Sequence, residues 1–238
     1  MGFTKIVIEN IKIDKLIRSK RRTMDVEVRT DATLTVRVPL RCSNRRIQEF
    51  IEEQRGWILD RQNYAREHCK QIPPKKFVDG EEFLYLGKSY SLVYTESGYS
   101  TLAFDGEKFL LNANHSKEAR DLFIQWYKNE ADKIIADRAK WYSSEMKTKF
   151  QKIRVSNARS QFGYCGSNGN LTFSWTLIMA PLVVIDCVIV HELLHLRVRG
   201  HSKDFWNGVG LFIPEVDYCR NWLKVNQNEL SIFNQYPL

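Results

Sequence analysis

The chain begins in alternation. In DVEVRT (25–30) and TLTVRVPL (33–40) every second residue is apolar, with Asp31-Ala32 between the two runs. Side chains of a strand point to opposite faces in turn, so this pattern predicts a half-buried hairpin. IVIENIKI (6–13) predicts a strand before it. The period then lengthens. IQEFIEEQRGWIL sets Ile47, Phe50, Ile51, Trp57 and Ile58 on one helical stripe, with Ser43 or Asn44 as cap, and Pro73-Pro74 ends that unit.

Residues 76–112 return to strands. FVDGEEFLYLGKSYSLVY carries turn signals at Asp79-Gly80 and Gly87-Lys88, and Asp105-Gly106 separates TLAF from KFLLN. Over 116–150 a mostly apolar stripe runs through positions 123, 127, 130–131, 134, 138, 141 and 145–146. It predicts a long amphipathic helix begun by Ser116. KIRVSNARSQFGYCGSNGNLTFSW reads as a strand, a loop and a hairpin with Asn168-Gly169 at its tip. Ala180-Pro181 opens another helix, with proline in the first turn where its missing N–H costs nothing. The predicted class is α+β. A β-rich region with one helix spans 1–114, and a second region spans 115–238.

Composition narrows the classes. Of 238 residues, 43% are hydrophobic and 27% charged, as in ordinary soluble proteins. The longest apolar run, LIMAPLVVIDCVIV, is broken by Pro181 and Asp186 and falls short of the about 20 residues a bilayer requires, so no membrane partner is expected. The opening MGFTKIVIENIKIDK carries charge too early for a secretory signal. Five cysteines (42, 69, 165, 187, 219) are scattered without a CxxC pair, which predicts reduced thiols and a cytoplasmic location. The net charge is +8, concentrated in KLIRSKRR (15–22) and RCSNRR (41–46). Such runs fit either a solvated face or a nucleic-acid partner, and no recognition motif supports the second.

The chemistry lies in VIVHELLHLRVRGHSKDFW (188–206), which holds three of the five histidines. Residues four apart share a helix face, so His191 and His195 can hold one metal ion. Glu192 lies about 100° around the helix, placed to meet a water rather than to ligate. A catalytic zinc needs a third protein ligand and an open position, and His201 is the natural third. Arg197 to Gly200 read as a helix end, Ser202 as the cap of the next helix, and Phe205 and Trp206 as its anchors. The His191-to-His201 spacing equals that of metzincins, HExxHxxGxxH. Here Val198 holds the glycine position, and all four methionines precede the site, so a metzincin Met-turn is excluded.

Several stretches together resemble the YgjP-like metallopeptidase-domain family, which is distantly similar to SprT-like proteins. HELLH with HSKDFW resembles the family's active-site helix and third-histidine segment. SQFGYCGSNGNLTFSWTLIMAPLVVIDCVIV resembles the segment before it, and DGEEFLYLGKSYSLVY and the TLTVRVPL–helix unit resemble its amino-terminal half. One departure stands out. The family's Trp-Gly-Ser-Cys is here Phe162-Gly163-Tyr164-Cys165. The resemblance implies a β-rich amino-terminal half followed by a minimal zincin-like half, in which an HExxH helix packs on a small sheet.

Three functions follow as expectations. The first is a zinc metallopeptidase acting on peptides or proteins, with Zn2+ on His191, His195 and His201 and Glu192 as general base. The strand around 171–175 either pairs with extended substrate or is paired within the core, and Tyr218 and Tyr164 are the candidates for stabilising the oxyanion. The second is an SprT-like protease directed to DNA-bound proteins. The third is a non-catalytic zinc-binding module closed by a cysteine, with Cys165, Cys187 and Cys219 available.

Overall fold

In the computed structural model the described residues are 7–8, 11–29, 32–68, 73–96, 101–158, 161–230 and 233. They fall into two compact units, 1–72 and 73–238. The change of character near 114 therefore lies inside the second unit.

In the first unit, IVIENIKI forms two short strands, β1 (Val7–Ile8) and β2 (Ile11–Lys12), paired antiparallel. The expected hairpin appears as β4 (Asp25–Val28) and β5 (Leu34–Pro39), also antiparallel; Asp31 of its turn lies outside the described residues. The basic run supplies β3 (Lys15–Ser19), which pairs parallel to β5, giving the order β3-β5-β4. Its charges are partly used within the unit. Arg18 donates to the Cys42 carbonyl and to Asn44 Oδ1, and Arg21 lies 3.7 Å from Asp25.

Ser43 accepts from the Arg46 amide and starts α1 (Asn44–Glu53), and α2 (Arg55–His68) follows after a break at Gln54. Leu34, Val36, Val38, Ile47, Ile51 and Ile58 are fully buried together. Trp57 leaves the expected stripe and is 45% exposed. Within α2 it stands one residue, about 100° of helix, from fully buried Ile58, so the two side chains face different ways.

The second unit opens with β6 (Glu82–Tyr85), β7 (Lys88–Thr95), β8 (Leu102–Phe104) and β9 (Phe109–Asn112), in the order β6-β7-β9-β8. Tyr85 pairs with Lys88, so the β6–β7 turn is Leu86-Gly87, one residue before the expected pair. Both residues have positive φ, as a tight hairpin turn requires. Their amides donate to the Ile178 and Met179 carbonyls at 3.0 and 2.9 Å, so the turn is seated just before the helix that carries His191.

A 3₁₀ turn over 113–118 precedes α3 (Ala119–Glu145), which begins later than Ser116 and ends before 150. Its buried stripe is Ala119, Phe123, Tyr127, Ala131, Ile135, Ala139 and Tyr142. After position 131 this departs from the expected stripe. Small Ala131 and Ala139 let neighbours approach, while Trp141 faces out and Arg138 forms an ion pair.

Next come β10 (Lys152–Ser156), β11 (Gly163–Cys165) and β12 (Asn170–Ser174). The last three helices are α4 (Leu182–Leu194), α5 (Lys203–Gly210) and α6 (Val216–Leu230). Helix α4 is buried nearly all round, which explains its apolar run. Asp186 interrupts that run because it receives Arg138 of α3, with Nε at 2.7 Å from Oδ1. A buried carboxylate is tolerable only when paired in this way. The chain is thus mixed α+β, with small sheets in its first half and helices dominating its second. Among the described residues no helix is long and apolar enough to cross a membrane.

Candidate metal centre

Helix α4 ends at Leu194, so His191 lies in its last turn and His195 is its C-cap. The chain then turns through Arg197 and Val198, whose amides both bond the Leu194 carbonyl at 2.9 Å. Gly200 follows at φ 77°, a left-handed conformation that costs glycine little. This reversal returns His201 to the two helical histidines. Ser202 then caps α5 by accepting from the Phe205 amide. Gly208 lets α5 lie close on α4, since a Cβ there would stand 2.9 Å from Leu194.

The three Nε2 atoms form a near-equilateral triangle with edges of 3.1, 3.2 and 3.0 Å. His195 Nδ1 lies 3.1 Å from the Val198 carbonyl oxygen. A carbonyl only accepts, so Nδ1 carries the proton and Nε2 keeps its lone pair for the cluster. Burial is the main cause that pushes the His191 imidazole down to about 4, and the neighbouring His195 and His201 add to it. Burial likewise lowers His201. Both shifts favour the neutral ring that a ligand must present. Fully buried Phe205 touches all three rings, stacking on His195 at 4.5 Å and meeting the other two edge-on at 4.8 and 5.0 Å. Trp206 stacks on His201, and Arg220 lies over the Trp206 ring at 4.3 Å.

Among the described residues the only group of acids, histidines or cysteines that could hold a metal ion is these three imidazoles. Cys165, Cys187 and Cys219 stay outside it. Cys187 and Cys219 are buried, and the Cys219 thiol donates to the Val183 carbonyl.

Glu192 is 6% exposed and turns toward β11. Burial pushes its carboxyl up to about 7, against a hydrogen bond from the Cys165 amide that lowers it. Sheet geometry explains that bond. Ser174 donates to Phe162, and Gly166 to Asn170, across the β11–β12 hairpin. In an antiparallel ladder the intervening Gly163 and Cys165 must then turn their backbone groups outward. Gly163 also lies against the carboxylate, since a Cβ there would stand 2.6 Å from Glu192 Oε1.

Of the two readings of 171–175, pairing within the core holds, and strand β12 is not available to substrate. It is central, parallel to β10 on one side and antiparallel to β11 on the other. The outer strand beside the metal centre is β11. Tyr164, 52% exposed, lines the cleft in front of the histidines. Tyr218, 51% exposed on α6, is not among the residues lining that cleft. The cleft also carries Lys149, Arg197 and Arg199, which spacing alone did not single out. No sequence signal marks them, because the turns after α3 and α4 meet only in the fold.

No curated protein and no solved structure matches this chain. A family model described as YgjP-like, metallopeptidase domain, matches residues 22–226, which include every residue of the centre. The chain therefore belongs to the YgjP-like metallopeptidase-domain family.

Proposed function

We propose that this protein is a zinc-dependent peptidase in which His191, His195 and His201 hold the ion and Glu192 is the general base. The observation that carries this reading is the triangle of Nε2 atoms beside a buried carboxylate. Tetrahedral zinc–nitrogen bonds of about 2.0–2.1 Å separate their nitrogens by about 3.3–3.4 Å. The imidazoles stand within a few tenths of an ångström of that spacing. Among the described residues no fourth side chain joins the three nitrogens, which suits a catalytic site rather than a closed structural one.

Zinc held there supplies Lewis acidity to a water and to the scissile carbonyl. Glu192 receives the water's proton on its carboxylate and returns it to the leaving amine. Its raised affinity for protons suits both halves of that transfer near neutral pH. The Cys165 amide and the bare α-carbon of Gly163 hold the carboxylate in place. The outward backbone groups of β11 give an extended peptide an edge to pair with. Tyr164 is better placed than Tyr218 to reach a substrate oxyanion, because it lines the cleft.

The test is Glu192→Gln in the full chain. The variant should bind one zinc as wild type does and lose hydrolysis of unfolded protein substrates about 10²- to 10⁴-fold. Equal hydrolysis by the two proteins would remove Glu192 from the mechanism.

A further inference from the structure

Apart from buried Glu192, the charged side chains that line the metal cleft among the described residues are lysine and arginine. Lys149 follows the turn after α3, and Arg197 and Arg199 lie in the turn after α4. All three are exposed. The Arg197 guanidinium donates to the Lys147 carbonyl, which ties the two turns together. Among the described residues neither Lys149 nor Arg199 has a hydrogen-bond or ion-pair partner. Among the described residues Glu192 is the only carboxylate lining the cleft, and it is buried against Gly163 and Cys165. Among the described residues no exposed acid in the wall answers these cations.

We propose that the cleft selects peptides with acidic side chains close to the scissile bond, and that Lys149 and Arg199 read that charge. The proposal rests on the peptidase reading and adds a substrate class to it. Arg199 lines the same cleft as the three histidines, so an acidic side chain it holds belongs to a peptide lying in that cleft. Its planar guanidinium suits two-point contact with a carboxylate, and Lys149 adds a point charge from the facing turn. Each exposed pair is worth about a 2- to 5-fold preference, so the two together give about tenfold at low salt. A nucleic-acid strand fits this wall less well. It calls for a row of aromatic stacking platforms along a basic track, and among the described residues Tyr164 is the one Phe, Tyr or Trp lining the cleft.

The test uses the full chain loaded with zinc. A peptide mixture randomised over eight positions is digested, and residue frequencies are read on both sides of the cuts. Asp and Glu should be enriched there. For one peptide from that set, and its Gln and Lys counterparts, kcat/KM is compared between wild type and the K149E/R199E variant. Relative to the glutamine peptide, the acidic peptide should lose at least about tenfold and the lysine peptide should gain. In parallel, zinc-loaded E192Q protein is titrated with the fluorescent acidic peptide and its Gln counterpart between about 0.05 and 0.5 M salt. A single-stranded oligonucleotide serves as competitor. Preferential, salt-sensitive binding of the acidic peptide upholds the inference even if wild type cuts nothing, in which case the peptidase reading alone fails. Cleavage without charge preference overturns the inference and leaves the peptidase reading intact. Tighter binding of the oligonucleotide, lost in K149E/R199E, also overturns it and assigns the wall to phosphates.

Discussion

Gly163 and Glu192 lie so close that a single methyl group on the glycine would overlap the carboxylate, 2.6 Å from its Oε1 and 2.7 Å from its Cγ. The general base of the proposed mechanism is thus shaped by a neighbouring strand as much as by its own helix. Gly163→Ala should displace Glu192 while leaving the three histidines in place. A displacement near 1 Å costs about 10²-fold in rate. The expected result is a fall of that size in kcat with zinc content unchanged. Full activity in the alanine variant would show that the carboxylate has another resting position.

The aromatic floor of the site makes a second prediction. Phe205 contacts all three histidine rings and is fully buried. Phe205→Ala should cost about 3–5 kcal/mol in denaturant unfolding, as truncation of a buried phenylalanine does. Its loss should also loosen the ligands, lowering zinc affinity about 10- to 100-fold in competition with a chromogenic chelator. Unchanged affinity would mean that the turn at Gly200 alone positions His201.

Metal removal gives the third. An ion bound to the folded chain stabilises it by mass action, by about 2.7 kcal/mol at a hundredfold excess over Kd. For a unit of this size each kcal/mol moves the melting temperature by about 2–4 °C. A chelator should therefore lower the melting temperature of wild type by about 5–10 °C and have no effect on a variant lacking His191 and His195. An equal response in both proteins would place the bound metal elsewhere.

The fourth concerns pH in the metal-free protein. Glu192 ionises near 4.5 when unfolded and near about 7 in the fold. Between those values the native chain keeps a proton that the unfolded chain has released, so stability falls as pH rises through the window. Glu192→Gln removes that loss. The variant's advantage in urea unfolding should grow from about pH 4.5 to about 7 by roughly 2–3 kcal/mol and then level off. His191 acts in the opposite direction, because its imidazole is pushed down to about 4. It does so in both proteins and cancels in the comparison. A flat difference across the window would indicate that water reaches the carboxylate.

Much of this protein is legible along the chain. The alternation of 25–40 becomes β4 and β5, and the helical period of 47–58 becomes α1 and α2. His191 and His195 share a helix face because 3.6 residues make a turn, and Gly200 marks the reversal that returns His201. These features are local, and local spacing determines them. The tertiary structure decided the rest. The stripe of α3 after position 131, the exposure of Trp57 and the central place of β12 depend on which neighbours pack against each element. So does the contact of Gly163 and Cys165 with Glu192, across about thirty residues of sequence. The sequence by itself determined which atoms could hold a metal ion. Only the fold decided what surrounds it, because a helix reports its own period while a strand edge, a bare α-carbon and a basic wall acquire meaning from what is packed beside them.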